Sequence, residues 1–341
     1  MVSDIRIRTE GLAGRVTLTR PNALNALTAG MAEALDASLD AWRDDPNVAL
    51  IIIDAEGEKA FCAGGDIADL YAHGTAGNFA FGQAFWQQEY RLNLKLAEHP
   101  KPIVTFLQGF TMGGGVGVGC HASHRIVGES SKIAMPECGI GLVPDIGGSR
   151  LLGQAPDGIG VYLGLTGARM NGVDAIHVGF ADHYVPEAAW EDLKSQLIAG
   201  SVDPIHDLAT PPGPSPLAAT FAEMKDCFDH TTLAEIEAAL IAAPSDATAL
   251  ALKGLRKGAP LALACGLATI RSAAQMTLPE ALAQEYRFTH RAQAQGDFLE
   301  GIRAQIIDRD FTPKWAHTTM NVPQADIAAM LAPLGEAEWT A

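Results

Sequence analysis

Residues 109–117 read Gly-Phe-Thr-Met-Gly-Gly-Gly-Val-Gly and follow an apolar run, residues 102–107, that predicts a buried strand. A second glycine turn, Phe-Cys-Ala-Gly-Gly-Asp at residues 61–66, comes after the apolar run 48–53. Glycine after a strand allows a tight turn and lets a ligand approach the main chain. If both turns open helices and point at one oxygen, their free N–H groups form an oxyanion hole. The alternative is that they are packing glycines where helices cross strands.

Two carboxylates, Glu137 and Asp145, lie in a segment rich in glycine and proline, with no basic residue between them. Such a segment is not an ordinary solvated charged surface. Burial would raise the pKa of both groups, and paired acids can divide acid and base roles. The alternative is structural: Glu137 would end a strand, and Asp145 would cap a helix that starts near Ile146.

The pattern along the chain predicts an α/β fold. Strands are expected at 15–18, 48–53, 102–107, 124–127 and 132–135, and helices at 28–42, 66–71, 79–97, 279–295 and 298–307. Beyond Asp145 helices dominate, and the proline-rich stretch 203–216 is interpreted as a loop or linker. We therefore expect an α/β core over residues 1–200 and a helical region over residues 201–341 packed on it.

Composition narrows the class of protein. The 341 residues carry a net charge of −16, which disfavours nucleic acid and anionic membrane surfaces as partners. The five cysteines are isolated and suit a reducing compartment, and no targeting segment is recognised, so we expect a cytoplasmic protein. The histidines His73, His121 and His124 lack metal-ligand spacing, and no metal is expected.

Four stretches occur in an order that resembles the crotonase superfamily, also called the enoyl-CoA hydratase/isomerase family. They are residues 20–27, 61–67, 109–117 and 136–148. Residues 300–303 and 308–315 extend the likeness, and together with 111–117, 134–137 and 141–148 they resemble the hydrolase branch of that superfamily. The resemblance implies a crotonase-type spiral of ββα units with a helical C-terminal region and an acyl-CoA thioester as the substrate.

The resemblance also implies where the roles fall. The backbone N–H groups of Gly65 and Gly114 match the oxyanion-hole positions, and Glu137 with Asp145 matches the catalytic acids of the hydrolase branch. Hydratases of the family carry a second glutamate at the position of Gly117, where this chain has no side chain. The remaining implied substrate-binding residues are Glu89, which would receive a 3-hydroxyl group, Gly64 and Asp66.

The expected reaction is hydrolysis of a short 3-hydroxyacyl-CoA thioester, above all 3-hydroxyisobutyryl-CoA to 3-hydroxyisobutyrate and CoA, a step of valine breakdown. Coenzyme A is then part of the substrate, and no separate cofactor is expected. Arg20 and Lys59 are candidates for binding its phosphates. An enoyl-CoA isomerase or hydratase is the alternative enzyme, a CoA-thioester scaffold protein is the non-catalytic one, and a homotrimer is common in the superfamily.

Overall fold

The computed structural model describes residues 4–341. Its strands are β1 (Ile5–Glu10), β2 (Ala13–Leu18), β3 (Leu50–Ala55), β4 (Ala60–Cys62), β5 (Ile103–Phe106), β6 (Phe110–Met112), β7 (His124–Val127), β8 (Lys132–Ala134) and β9 (His183–Tyr184). The α-helices up to residue 208 are α1 (Ala29–Arg43), α2 (Ala68–Thr75), α3 (Phe79–Ala97), α4 (Gly114–Gly119), α5 (Gly148–Gly153), α6 (Ile159–Thr166), α7 (Gly172–His177), α8 (Trp190–Leu197) and α9 (Pro204–Leu208). The later ones are α10 (Pro216–Ala222), α11 (Lys225–Phe228), α12 (Leu233–Ala242), α13 (Asp246–Leu255), α14 (Pro260–Ala273), α15 (Leu278–Gln295), α16 (Phe298–Ile302) and α17 (Gln324–Leu331).

The chain divides into two compact units, each assembled from three separate segments. The first unit holds the chain up to Asp66 together with Arg91–Ala134 and Arg169–Ser215. The second unit holds Ile67–Tyr90, Met135–Ala168 and Pro216–Ala341. The division at residue 200 that the sequence favours follows the order of residues along the chain, whereas these two units are defined by contacts between residues. That division stays a prediction.

The large sheet of the first unit has the strand order β1-β2-β3-β5-β7-β9. The hairpin β1–β2 is antiparallel, and every other pair in this sheet is parallel. On one face, Ala13, Leu50 and Val104 pack with apolar residues of α8. On the other face, a Cβ added to Gly14 would lie 2.6 Å from the ring of Trp42 at the end of α1. Helices therefore cover both faces, as a parallel sheet requires.

A smaller parallel sheet in the same unit has the order β4-β6-β8. Its central strand β6 pairs with both neighbours. All three strands are only three residues long, and the glycine turns follow β4 and β6 directly. The carboxyl ends of parallel strands lie at one edge of a sheet, so this sheet brings the two turns together.

Among the described residues the second unit contains helices and no strand. Helix α14 packs against α5 and α6, and α15 packs against α5, α14 and α17. Helix α15 begins at a capping box in which Thr277 and Glu280 exchange hydrogen bonds, the arrangement that satisfies the first free N–H groups of a helix. These packed helices provide the frame for the carboxylates described below.

Most of the long elements agree with the sequence expectations. Helix α3 has the predicted bounds, Thr28 is the N-cap of α1, and helices dominate beyond Asp145. The interpretation of residues 203–216 as a loop was wrong over its first part, because Pro204–Leu208 is helical. Pro204 occupies the first turn, where a missing N–H costs nothing. In the described residues no helix has both the length and the apolarity to cross a membrane.

Candidate active site

The two glycine turns lie side by side in the first unit. A Cβ placed on Gly64 would be 3.6 Å from the carbonyl oxygen of Met112, so the turn after β4 touches the turn after β6. Gly113 has φ 49° and ψ −125°, a conformation that residues with a side chain rarely adopt. The expectation that the turns occur at strand-to-helix junctions is confirmed for residues 113–114, where α4 begins directly after β6.

Two backbone N–H groups at these turns are available to a ligand. Leu27 donates to the carbonyl of Gly64 at 2.9 Å and accepts from the N–H of Asp66 at 2.8 Å, so the peptide groups of Gly65 face away from Leu27. Gly114 is the first residue of α4, where an N–H group has no partner within its helix. Within residues 4–341 neither N–H group has a backbone acceptor, so both can donate to an oxygen atom that carries negative charge.

Close packing in the first unit fixes the distance between the turns. A Cβ on Gly115 would lie 2.1 Å from the carbonyl oxygen of Cys62, so only glycine fits where α4 meets the end of β4. Gly117 is buried in the same helix and presents no side chain. The turns are therefore held by backbone contact, and no carboxylate projects from the position that hydratases would use.

Asp66 and Arg20 form an ion pair beside these turns. The guanidinium of Arg20 lies 3.1 Å from the carboxylate of Asp66 and 3.6 Å from that of Asp4, and it donates to the carbonyl of Ala26. These carboxylates offset much of the positive charge that Arg20 would offer to a phosphate. Lys59 is exposed and lies just before β4.

Glu137 is a buried carboxylate in the second unit. It opens a short 3₁₀ segment, Glu137–Ile140, and only 4% of its surface is exposed. Its Oε2 atom is buried and has no hydrogen-bond partner within residues 4–341. Burial, with a further contribution from the negative charge of Asp145, raises the pKa of Glu137 well above its usual value. Burial therefore disfavours the ionised form of Glu137.

Asp145 is equally buried and is held by a tyrosine. The hydroxyl of Tyr90 donates to Oδ2 of Asp145 at 2.8 Å, and the same oxygen atom of Tyr90 lies 3.3 Å from the hydroxyl of Thr289. Burial raises the pKa of Asp145 to about 7, although the tyrosine hydrogen bond opposes the rise. Because this pKa lies near neutrality, Asp145 can take or give a proton under ordinary conditions.

Glu89 is the third buried acid of the second unit, on α3 next to Tyr90. Burial and the charge of Asp145 together raise the pKa of Glu89 to about 8. The negative charge of Glu89 in turn raises the pKa of Glu137. The structure therefore brings Glu89, Glu137 and Asp145 into one interacting cluster, while Gly64, Gly65, Asp66 and Gly114 form the other group in the first unit.

A fourth acid, Glu285 on α15, was missed by the sequence reasoning. It is fully buried and accepts from the N–H groups of Gly147 at 2.7 Å and Ser149 at 3.0 Å, and from the hydroxyl of Ser149. A signal was present: Glu285 lies three and four residues from Leu282 and Ala281, on the apolar face of its helix. A carboxylate on such a face has to find hydrogen bonds inside the protein.

The structural alternatives for Glu137 and Asp145 are both contradicted. Strand β8 ends at Ala134, three residues before Glu137. Helix α5 has Gly147 as its N-cap, so Asp145 does not cap it. Both carboxylates are thus buried without the secondary-structure role that would explain them, which is the pattern of a functional group rather than of a capping residue.

The 3₁₀ segment of Glu137 is clamped by the C-terminal helices of its own unit. Gln305, in the π-helical turn Arg303–Ile307, donates to the carbonyl of Gly139 at 2.5 Å. A Cβ on Gly301 would lie 2.1 Å from the carbonyl oxygen of Ile140. The position of Glu137 therefore depends on residues more than 160 positions later in the chain.

The residues described here do not suggest a metal site. Within residues 4–341, no three His, Cys, Asp or Glu side chains are grouped so as to hold a metal ion. Oxygens of Asp145 and Glu285 accept from tyrosine, serine or backbone donors, and Oε2 of Glu137 has no hydrogen-bond partner within residues 4–341.

Comparison with known proteins identifies the family. A sequence profile described as enoyl-CoA hydratase/isomerase matches residues 13–331. The chain belongs to this family. The family consists of enzymes, so this chain is an enzyme, and the resemblance carried by the glycine turns and the acid segment is confirmed.

Two relatives in this family carry one name. The "3-hydroxyisobutyryl-CoA hydrolase, mitochondrial" of Danio rerio is 38% identical over 330 residues, which cover 93% of this chain and 86% of the relative. The protein of the same name from Rattus norvegicus is 36% identical over 348 residues, which cover 98% of this chain and 90% of the relative. These names support CoA-thioester hydrolysis or another activity of the enoyl-CoA hydratase/isomerase family.

Solved structures of the family confirm the crotonase fold. An enoyl-CoA hydratase from Rhodobacter sphaeroides 2.4.1 superimposes with a TM-score of 0.94 at 54% identity, covering 99% of this chain and 100% of that chain. A carnitinyl-CoA dehydratase from Mycobacterium thermoresistibile gives a TM-score of 0.94 at 40% identity, covering 99% and 98%. The names of these relatives differ in reaction and agree in an acyl-CoA substrate.

Proposed function

We propose that this enzyme hydrolyses a short 3-hydroxyacyl-CoA thioester, above all 3-hydroxyisobutyryl-CoA. The observation that supports this most is the pair Glu137 and Asp145, two buried acids with raised pKa values, combined with glycine at position 117. Hydration by two glutamates would need a carboxylate at that glycine. The relatives named as 3-hydroxyisobutyryl-CoA hydrolases support the same substrate.

In the proposed reaction the N–H groups of Gly65 and Gly114 donate to the thioester carbonyl oxygen and stabilise its negative charge. Removal of one such donor typically raises the barrier by about 3–4 kcal/mol. Ionised Glu137 either attacks the carbonyl carbon or removes a proton from the water that attacks it. The C–S bond breaks, and the CoA sulfur leaves as a thiolate and takes a proton. In the general-base route water has added its oxygen to the acyl group, which leaves as a carboxylate; in the covalent route the acyl group forms an anhydride with Glu137, and water then hydrolyses it to the acyl carboxylate and free Glu137.

The other acids have separate roles in this proposal. Asp145, with a pKa of about 7, orients the water and gives the proton to the leaving sulfur. Glu89 binds the 3-hydroxyl group of the substrate, together with contacts from Gly64 and Asp66 to the thioester. No cofactor besides the CoA of the substrate enters the reaction. We expect it to run in the cytoplasm as part of valine breakdown, whereas the relatives named above carry the word mitochondrial.

A thiol-release assay tests the reaction class. Purified enzyme is mixed with 3-hydroxyisobutyryl-CoA, 3-hydroxypropionyl-CoA or crotonyl-CoA, and free CoA is measured together with absorbance of the enoyl group. Free CoA from the hydroxyacyl substrates and none from crotonyl-CoA is expected. A change at the enoyl band without free CoA would contradict hydrolysis.

Isotope labelling separates the two roles of Glu137. In a single turnover in ¹⁸O water, a covalent route in which water opens the anhydride at the Glu137 carbonyl carbon incorporates label into the carboxylate of Glu137, and a general-base route leaves that residue unlabelled. Mass spectrometry of the peptide that contains Glu137 reads the result. Glu137→Gln should reduce kcat about 10²–10⁴-fold by either route.

An enoyl-CoA isomerase or hydratase is the second candidate. The Rhodobacter sphaeroides structure that is named an enoyl-CoA hydratase favours it, since its identity of 54% exceeds that of the hydrolase relatives. A single base at Glu137 could move a double bond. The assay above decides between the two, because only hydrolysis liberates a thiol.

A further inference from the structure

Asp145 is joined to α5 by the short segment 146–147, and the protein holds this segment at several points. Ile146 adopts φ 56°, a left-handed conformation that is costly for a β-branched residue. Gly148 donates to the carbonyl of Asp145 at 2.7 Å. A backbone in such a conformation persists only where its surroundings fix it. The surroundings that fix it are therefore part of how Asp145 is positioned.

Glu285 fixes the far side of this segment. Its Oε2 accepts from the N–H of Gly147, and its Oε1 accepts from the N–H and hydroxyl of Ser149. All three partners are donors, which is the pattern that an ionised carboxylate satisfies. Glu285 has no exposed surface, and both of its oxygens accept hydrogen bonds from residues 147–149. Its hydrogen bonds therefore hold that segment and do not bind solvent.

Thr289 acts from the same helix, one turn after Glu285. Its hydroxyl lies 3.3 Å from the hydroxyl of Tyr90, whose proton is donated to Asp145 at 2.8 Å. Residues four apart on a helix share a face, so α15 presents Glu285 and Thr289 together. One contacts the backbone that follows Asp145, and the other contacts the tyrosine that binds the Asp145 carboxylate.

We infer that Glu285 is a positioning residue for Asp145. Together Glu285 and Thr289 form one face of α15, and this face orients Asp145 for catalysis. The inference rests on the proposed function only in that Asp145 takes part in the reaction. Glu285 itself does not need to touch the substrate, since both of its oxygens are already occupied within the protein.

Glu285→Gln tests this with little change in volume. The amide keeps one accepting oxygen and replaces the other by an NH₂ group, so Gly147 or Ser149 faces a donor instead of an acceptor. Hydrogen–deuterium exchange should become at least about tenfold faster in the peptide that contains residues 146–149. Exchange in peptides of α12 and α13, which lie elsewhere in the same unit, should stay unchanged.

Glu280→Gln is the matched control on the same helix. Glu280 is part of the exposed capping box with Thr277 and contacts none of the buried acids. Its substitution should leave both kcat and exchange in residues 146–149 unchanged. Glu285→Gln should reduce kcat about 10–100-fold, the cost of misplacing a reacting group, with KM within a factor of three of the parent. Thr289→Val should reduce kcat less and in the same direction.

Two results would overturn the inference. Unchanged exchange at residues 146–149 in Glu285→Gln would show that this carboxylate does not hold the segment, whatever the enzyme catalyses. Faster exchange with unchanged kcat would show that the segment does not need to be held. If the parent enzyme turns over only enoyl-CoA, the proposed hydrolysis fails. The kcat of each variant is then compared on that substrate, where the same two results would overturn the role of Glu285.

Discussion

Glu137 has a buried oxygen that no group in residues 4–341 satisfies. An unpartnered buried acceptor typically costs about 1–3 kcal/mol, so a stable fold retains one where another molecule supplies the missing donor. A water molecule that attacks a thioester is such a donor under the proposed function. The unsatisfied oxygen and the raised pKa of Glu137 have one cause, its removal from solvent.

The pH dependence of the reaction should reflect the burial of Glu137. A base works only when ionised, and burial raises the pKa of Glu137, so kcat/KM should fall as the pH drops through a value well above the usual 4.5. Since Asp145 titrates at about 7 and Glu89 at about 8, the observed midpoint belongs to the interacting group. We expect it above pH 6 in steady-state measurements from pH 5 to 9. A midpoint near 4.5 would contradict the proposed role of Glu137.

Glu89 should determine preference between substrates rather than the chemical step. If it binds the 3-hydroxyl group, Glu89→Ala removes a contact that plain acyl-CoA never makes. We expect the ratio of kcat/KM for 3-hydroxyisobutyryl-CoA to that for isobutyryl-CoA to fall on the order of 10–100-fold. Competition between the two thioesters measures this ratio directly. A ratio equal to that of the parent enzyme would remove Glu89 from substrate recognition.

At the scale of elements, the position of the two glycine turns depends on α4 lying directly against the end of β4. Gly115→Ala places a methyl group 2.1 Å from the carbonyl oxygen of Cys62, so helix and strand must move apart. We expect a loss of about 1–3 kcal/mol in the free energy of unfolding and a drop in kcat that exceeds any change in KM. Urea denaturation and thiol release measure the two effects.

Gly30→Ala is the matched control for that change. Gly30 lies in α1, and a Cβ there meets no atom within 4 Å. Alanine in a helix should stabilise the protein by about 0.5–1 kcal/mol and leave kcat unchanged. If Gly115→Ala behaved like Gly30→Ala, close packing between α4 and β4 would not be what fixes the turns.

Elements differed in how well the sequence predicted them. Helix α3 spans nineteen residues, long enough for apolar spacing to define its bounds. Strands β4 and β6 span three residues each, too few for any period, and they form because they pair with each other. The glycine turns were found by composition, and Glu137 and Asp145 by their apolar surroundings. Glu285 was missed because its partners, Gly147 and Ser149, lie 138 and 136 residues earlier in the chain.

At the scale of the whole molecule, the buried acids Glu89, Glu137 and Asp145 make stability depend on pH in an unusual direction. Their pKa values are higher in the folded protein than in the unfolded chain, so the folded state holds protons that the unfolded state releases. The free energy of unfolding should therefore fall as the pH rises from about 5 to about 8.

Other carboxylates act in the opposite sense at lower pH. Asp54 and Asp182 are paired with cations, and their pKa values are lowered, so their contribution is lost as the pH falls through the range below about 4. We therefore expect greatest stability near pH 5. Urea denaturation at pH 5, 6, 7 and 8 gives the slope, which should be shallower in Glu89→Gln. Unfolding free energies that rise over this range would contradict the prediction.

The assembly of each unit from three chain segments has a consequence for protein synthesis. Glu89 and Tyr90 leave the ribosome first and Asp145 follows, but Thr289 comes 199 residues after the tyrosine it contacts. Until α15 is translated, the segment after Asp145 has no carboxylate to fix it, and α15 does not yet pack over the buried acids. We expect a nascent chain to stay catalytically silent until translation has passed α15, so that an interrupted product cannot consume cellular CoA thioesters.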